Sequence, residues 1–146
     1  MPVETIYNMA RIIAATIPLS SGFTHLLFNL AAQGFEWVKI SYSGGGDDGS
    51  VDDVKLVPTG ALSIKNGEVN WINEEYEDVE IEKELKDKLE NTAYEKVLNS
   101  ADDWWNNEGG GGTLYINTMD ASYHGDHYVN VTETIDSTLT GKFGDA

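Results

Sequence analysis

Residues 35–57, FEWVKISYSGGGDDGSVDDVKLV, decide the class of this fold. Phe35 to Tyr42 is rich in aromatic and β-branched residues, with apolar side chains at both alternating positions. This pattern predicts a central strand that is covered at least partly on both sides. Val51 to Val57 predicts a second strand. Because glycine allows positive φ and aspartate favours turns, the residues between them predict a flexible hairpin connection.

Two helices are predicted ahead of this hairpin. Apolar residues recur every three or four positions between residues 3 and 17, which predicts an amphipathic helix. Ser20 or Ser21 is placed to cap a second helix, and Gly34 is placed to end it. The sequence therefore predicts a helical hairpin over residues 1–34.

More strands and one long helix are predicted after the first hairpin. Asn66-Gly67 between two short apolar segments is a strong signal for a second hairpin. Asp78 to Ser100 carries an apolar stripe at helical spacing and a charged opposite face, which predicts a long acidic helix. Leu114 to Met119 and His127 to Ile135 predict a last pair of strands, linked by residues 121–126.

This order of elements predicts a single α+β domain over residues 1–146. Its antiparallel sheet would have about four to six strands and would pack with the long helix within residues 35–136. The polar residues 137–146 are predicted to form a flexible tail.

The charge of the chain is its most unusual property. Nine basic residues face 25 acidic ones, which gives a formal net charge of −16 and a pI near 4.2. Such a chain repels nucleic acid and anionic membranes, so neither is an expected partner. It attracts basic protein surfaces, including grooves that normally hold DNA or RNA. The alternative interpretation is that the acidity serves solubility alone.

The Asp-rich connection has two functional interpretations besides a turn. A phosphate cradle needs a glycine turn that leads into a helix, usually with a lysine, but here a strand follows and the first lysine is Lys55. A calcium loop is supported by four carboxylates. The spacing is not that of an EF-hand, because with Asp47 as position 1 the glutamate expected at position 12 is replaced by Pro58. A divalent-cation-dependent binding module that uses residues 47–53 therefore remains the alternative function.

Two further segments are candidates for a site. His124-Gly125-Asp126-His127 brings two imidazoles and a carboxylate together in a predicted turn, but a metal usually needs more ligands on rigid elements. Trp104 and Trp105 end the long helix, where one of them can be exposed and anchor an interface. The chain has no cysteine and none of the common hydrolase signatures, so we expect no enzyme, no metal and no cofactor.

Two segments, YSGGGDDGSVDDV and DDWWNNEGGGGTLYI, resemble a small family of uncharacterised bacterial and phage-encoded proteins. Members of that family pair a Tyr-x-Gly-x-Gly-Asp-x-Gly loop with a Trp-x-Asn-x-Gly-Gly-x-Gly loop. The first loop is matched by Tyr42, Gly44, Gly46, Asp47 and Gly49. The second is matched, with a one-residue insertion at Asn107-Glu108, by Trp105, Asn107, Gly109, Gly110 and Gly112. The resemblance implies a bacterial or viral source but no particular activity.

In size, acidity and lack of cysteine, the chain is also similar to phage-encoded inhibitors of host defence, including anti-CRISPR and anti-restriction proteins. Several such inhibitors resemble DNA in charge and occupy nucleic-acid grooves. The similarity implies stoichiometric binding to a nucleic-acid-targeting defence complex in the bacterial cytoplasm. The partner-binding residues predicted on this basis are Asp47, Asp48, Asp52, Asp53, Glu74, Glu75, Glu77, Asp78, Glu80, Glu84, Trp104 and Trp105.

Overall fold

The computed structural model describes residues 11–45, 48–101, 109–130 and 134–144. The helices in these residues are α1 (Phe23–Ala32) and α2 (Lys83–Lys96), and a short 3-10 turn follows at Leu98–Ser100. The strands are β1 (Ile12–Ile13), β2 (Phe35–Gly45), β3 (Asp48–Pro58), β4 (Leu62–Lys65), β5 (Glu68–Trp71), β6 (Glu80–Ile81), β7 (Gly110–Asn117), β8 (Ser122–Asn130) and β9 (Thr134–Lys142). Neither described helix is long and apolar enough to cross a membrane.

The main sheet has five strands in the order β3-β2-β7-β8-β9, and each neighbouring pair is antiparallel. A separate hairpin is formed by β4 and β5, and a short parallel pair is formed by β1 and β6. The predicted α+β class and antiparallel sheet are confirmed. The turn at Asn66-Gly67 is confirmed as well, since both residues have the positive φ, 53° and 76°, that a tight hairpin needs.

Strand β2 is central, as its sequence predicts. Val38, Ile40 and Tyr42 are buried in the larger core, which lies between the sheet and the helices. Trp37 is buried in a second, smaller cluster together with Tyr115. Phe35 and Trp37 would share a face in a regular strand, but a register shift between them places Phe35 in the larger core and Trp37 in the smaller one.

Helix α1 buries the predicted apolar face, through Phe23, Leu26, Leu27 and Leu30. It ends near Gly34, where a φ of 99° confirms the predicted cap glycine. The predicted start is wrong, because the residue at the N-terminal cap is Gly22 and not Ser20 or Ser21.

The predicted helix over residues 3–17 is wrong for the part that the structure describes, and residues 3–10 lie outside it. Residues 11–17 are not helical, and β1 pairs with β6 instead. The backbone N–H groups of Glu80 and Glu82 donate to the carbonyls of Arg11 and Ile13, each at 2.8 Å. Ile13 is buried and Ile12 is exposed, so the local alternation is that of a strand.

The long acidic helix is shorter than predicted. The predicted apolar stripe is correct within α2, since Leu85, Leu89 and Ala93 are buried. Residues 78–82 are not helical, because Val79 inserts into the core and β6 pairs with β1. Three of the seven acidic residues predicted on this helix therefore precede it: Asp78, Glu80 and Glu82.

The C-terminal part of the sheet also differs from the prediction. Residues 122–126, predicted as a connection, belong to β8, and the predicted flexible tail forms most of β9. Strand β9 is an edge strand, and six of its residues 136–142 are exposed, so its sequence is mostly polar and resembles that of a loop. Phe143 directly follows β9, and its ring packs against two other aromatic rings. Its ring centroid lies 4.9 Å from that of Phe23 and 5.2 Å from that of Tyr123.

We predict that Phe143→Ala destabilises the protein by about 3 kcal/mol, because it removes a buried aromatic side chain from the core. The matched control is Phe28→Ala, since Phe28 is 46% exposed and Phe143 only 7%. The control should change stability by less than about 1 kcal/mol. Urea unfolding measures both values. Equal effects of the two substitutions would mean that the C-terminal residues do not pack as described.

Candidate functional site

Asp52 and Asp53 lie on β3, which is an edge strand of the main sheet. Ser41 pairs with Asp53 and Tyr42 with Val51, so Asp52 is an extra residue that forms a β-bulge. The exposed Asp52 carboxylate accepts a hydrogen bond from Ser43 Oγ at 2.6 Å. A charged, bulged edge strand resists pairing with other strands, so these aspartates also protect the sheet from aggregation.

The second acidic stretch lies mainly between β5 and α2. Only Glu84 of the predicted group is on α2, and the rest belong to β6 or to the irregular segment before it. The prediction that the members from Asp78 onward lie on one helix is therefore wrong for Asp78 and Glu80. The exposed members of this stretch are Glu74, Glu75, Glu77, Asp78, Glu80 and Glu84.

The fold brings the two acidic stretches together. Asp53, Asp78 and Glu80 line one groove of about 360 Å³, which they share with Lys55 and Lys86. Lys55 Nζ lies 3.0 Å from Asp78 Oδ2, and this hydrogen bond raises the pKa of Lys55. We refer to the combined surface as the acidic edge. It consists of Asp52, Asp53, Glu74, Glu75, Glu77, Asp78, Glu80 and Glu84.

Few cations neutralise the acidic edge. Arg11 lies 3.6 Å from Glu77 and Lys55 lies 3.0 Å from Asp78, and all four side chains are largely exposed. Exposed ion pairs of this kind contribute about 0–1 kcal/mol and leave the carboxylates accessible. The other six members form no ion pair within the described part of the chain: Asp52, Asp53, Glu74, Glu75, Glu80 and Glu84. The edge therefore projects a negative potential into solvent.

Part of the predicted partner-binding set lies outside the described residues: Asp47, Trp104, Trp105 and the side chain of Asp48. The backbone around them corrects one expectation, because β2 continues to Gly45 and β3 begins at Asp48. Most of the predicted flexible connection is thus paired strand. Within residues 11–45, 48–101, 109–130 and 134–144, no group of three or more His, Asp or Glu side chains could hold a metal ion.

The two glycine-rich segments that carry the family resemblance pair with each other in the sheet. Strand β2 runs beside β7, so that Gly44 is opposite Gly110 and Tyr42 is opposite Gly112. A Cβ atom at Gly111 would lie 2.3 Å from the carbonyl oxygen of Tyr42. The glycines therefore permit a close approach of these two strands.

Tyr42, Gly112 and His127 form a row across three strands. Tyr42 Oη lies 2.7 Å from His127 Nδ1, and both residues are only 2% exposed. A Cβ atom at Gly112 would lie 2.8 Å from Tyr42 Oη and 2.1 Å from the carbonyl oxygen of Asp126. Glycine at this position thus leaves the space that the tyrosine ring crosses to reach the histidine.

Burial raises the pKa of Tyr42, and the negative charge of Asp126 raises it further. The phenol therefore keeps its proton in the folded protein and stays hydrogen-bonded to His127 Nδ1. We conclude that the Tyr42–His127 hydrogen bond stabilises the sheet.

The predicted His124–His127 turn is wrong, because these residues lie within β8. Side chains alternate along a strand, so His127 points to the helix side and His124 to the opposite face. The two imidazoles cannot share a metal ion. His124 instead places Nε2 3.0 Å from Asp126 Oδ1. Sequence reasoning missed the partner of His127, because Tyr42 lies 85 residues away.

A family model covers most of the chain. The model of DUF6878, a family of unknown function, matches residues 21–138. The chain belongs to this family. The match in DUF6878 begins just before α1 and ends within β9, so it includes the main sheet and the acidic edge. Comparison with curated proteins and with solved structures finds no match.

We predict that Gly112→Ala destabilises this DUF6878 protein by about 2 kcal/mol, because the added methyl group forces Tyr42 and Asp126 apart. Gly144→Ala is the control, since a Cβ atom there meets nothing within 4 Å. The control should fall within about 0.5 kcal/mol of the wild type. Chemical denaturation measures both. Wild-type stability of Gly112→Ala would contradict the close packing of this row.

We further predict that Tyr42 makes stability depend on pH in alkaline solution. Above pH ~10 the unfolded chain loses the phenol proton while the folded chain retains it, so stability falls as pH rises. The wild type should lose up to about 1.4 kcal/mol per pH unit more than Tyr42→Phe in this range. Urea unfolding between pH 9 and about 11 measures the difference. If the free energy of unfolding fell equally with pH in the two proteins, Tyr42 would not be a buried, protonated phenol.

Proposed function

We propose that this protein is a non-catalytic, stoichiometric inhibitor that binds the basic groove of a nucleic-acid-binding protein. Its class would be that of phage-encoded anti-CRISPR proteins, and its target a bacterial nucleic-acid-targeting defence complex. The observation that carries the proposal is the convergence of two acidic stretches, from β3 and from residues 74–84, on one edge of the fold.

The form of the acidic stretch favours mimicry of a phosphate backbone. Outside a helix a chain can advance about 3.3–3.6 Å per residue. Phosphates on one strand of duplex DNA advance about 3.4 Å per nucleotide. Exposed carboxylates at residues 74, 75, 77, 78 and 80 can therefore follow a row of basic side chains at a similar repeat.

The distribution of cations supports the same proposal. The two ion pairs at the acidic edge are exposed, so both are screened by salt and easily exchanged for partner lysines and arginines. Negative potential of this kind speeds the encounter with a positively charged groove. Ile72, which is 67% exposed at the start of the stretch, can supply an apolar contact that lengthens the lifetime of the complex.

The test uses a charge-neutralised variant, Glu74→Gln, Glu75→Gln, Glu80→Gln and Glu84→Gln. It removes four of the six carboxylates of the acidic edge that form no ion pair among the described residues. Its matched control removes four charges elsewhere, by Glu68→Gln, Glu90→Gln, Glu95→Gln and Asp136→Asn. The wild type and both variants are immobilised and exposed to bacterial lysate at about 0.1 M salt, where charges act over about 10 Å.

We expect the wild type and the control to retain a nucleic-acid-binding protein that duplex DNA displaces. The charge-neutralised variant should retain at least tenfold less of it. Equal retention by both variants would contradict the acidic edge as the binding surface. Retention that DNA does not compete would contradict a nucleic-acid groove as the target.

A further inference from the structure

Strand β9 forms an open edge of the main sheet. It pairs with β8 on one side, and among the described residues no strand pairs with its other side. Six of the seven residues 136–142 are exposed, and Leu139 is partly buried. The register with β8 runs without interruption from Ser122–Lys142 to Asn130–Thr134. The open side is therefore a regular strand edge that solvent reaches.

The two edges of the main sheet differ in their protection against further strands. On β3, a bulge and the charges of Asp52 and Asp53 discourage pairing. Strand β9, with the sequence TIDSTLTGK, has no bulge and no proline, and its only charged residues are Asp136 and Lys142. Threonine, its commonest residue, favours strands. An edge of this kind is a template on which another strand can pair.

Two backbone hydrogen bonds show which groups of β9 face outward. The N–H of Phe143 donates to the carbonyl of Ala121, the residue opposite it when the β8–β9 register is continued by one pair. Odd-numbered residues of β9 therefore bond to β8, and even-numbered ones direct their N–H and C=O groups away from it. The bond from Asn130 N–H to the Gly109 carbonyl agrees, because it assigns the even-numbered residues of β8 to β7. The outward-facing residues are Asp136, Thr138, Thr140 and Lys142.

We propose that β9 pairs antiparallel with β9 of a second copy of this chain, about a two-fold axis beside Leu139. In this register Asp136 lies opposite Lys142 of the second copy, and Thr138 lies opposite Thr140. Each of these four residues donates one N–H and accepts with one C=O across the interface. The two five-stranded sheets become one continuous sheet.

Charge complementarity selects this register. Opposite charges directly across an antiparallel pair attract and like charges repel, so registers centred on Asp136 or on Lys142 are disfavoured. The register centred on Leu139 places each Asp136 opposite a Lys142 and each Thr138 opposite a Thr140, and both kinds of pair are favourable. It also places the two Leu139 side chains next to each other. Since Leu139 packs against the larger core, its exposed part is then covered by its copy.

The net charge of −16 per chain does not prevent this pairing. Four strand spacings of about 4.8 Å separate β3 from β9, so the acidic edge lies about 19 Å away. At 0.15 M salt, charges are screened beyond about 8 Å. Near β9 itself, Lys96 and Lys142 line one pocket. The dimer leaves both acidic edges exposed at the far ends of the joined sheet, so it does not depend on the proposed inhibitory function.

The experiment measures the monomer–dimer equilibrium of the full chain by sedimentation velocity at about 0.15 M salt. Pairing of one strand buries a small interface, so we expect a Kd on the order of 100 μM and a monomer at low micromolar concentration. Asp136→Lys and Lys142→Asp should each weaken the dimer about tenfold, because each places like charges opposite each other twice. The double exchange restores opposite charges and should return the Kd to within about threefold of the wild type.

The two single substitutions change the net charge in opposite directions, so overall repulsion cannot explain a weakening by both. Glu75→Lys is the control, since it makes the same change of charge as Asp136→Lys at the acidic edge. Its Kd should stay within about threefold of the wild type. A wild type that is still monomeric at about 1 mM, tenfold above the expected Kd, would overturn the proposal. A dimer that the single substitutions do not weaken, or that the double exchange does not restore, would overturn it too.

Thr138→Pro tests the strand pairing independently of charge. The N–H of Thr138 faces away from β8, so proline removes no hydrogen bond within the sheet but removes one to the second copy. The variant should keep the wild-type circular dichroism spectrum and should not dimerise. A folded variant that dimerises like the wild type would show that β9 is not the interface. If the variant does not fold, the charge exchange still decides.

Discussion

The antiparallel pairing of β2 with β7 is the constraint on which the rest of the structure depends. These two strands are the second and third of the five-stranded sheet, and both cores are built on their faces. Glycines at 111 and 112 let the backbones approach, and they leave space for Tyr42 to reach His127 on the next strand. The Tyr42–His127 hydrogen bond thus ties β2 to β8 across β7, between residues that are 85 positions apart in the sequence.

The same pairing sets the position of the acidic edge. Strand β3 pairs with the outer side of β2, which makes it an edge strand, and Asp53 on β3 lines one groove together with Asp78 and Glu80. At the other end of β2, Trp37 packs in the smaller core with Tyr115 of β7 and Leu62 of β4. The β2–β7 pair therefore supports both the acidic edge and the packing of the β4–β5 hairpin.

Features of the fold that depend on local residue patterns were predicted from the sequence, whereas features that depend on contacts between distant residues were not. Strand β2, the Asn66-Gly67 turn and the apolar face of α1 follow from residue type and spacing. The N-terminal segment and residues 78–82 have sequence patterns typical of helices. They form β1 and β6 instead, because the hydrogen bonds of this tertiary pairing outweigh the local helix propensity. The acidic residues were identified individually, whereas their convergence beside β3 depends on β6, which no local pattern predicts. Strand β9 and the Tyr42–His127 bond depend equally on the sheet order.

Native-state hydrogen exchange tests the central role of the β2–β7 pairing most directly, because it reports the free energy of opening at each amide. The account predicts that the amides of Ile40 and Leu114, which are opposite each other in this pair, are among the slowest to exchange and open only with global unfolding. Amides of the β4–β5 hairpin and of β9 should exchange earlier, through local opening. If Ile40 and Leu114 exchanged as fast as the hairpin, the sheet would not be built on this pairing, and the arrangement of the acidic edge would lose its basis.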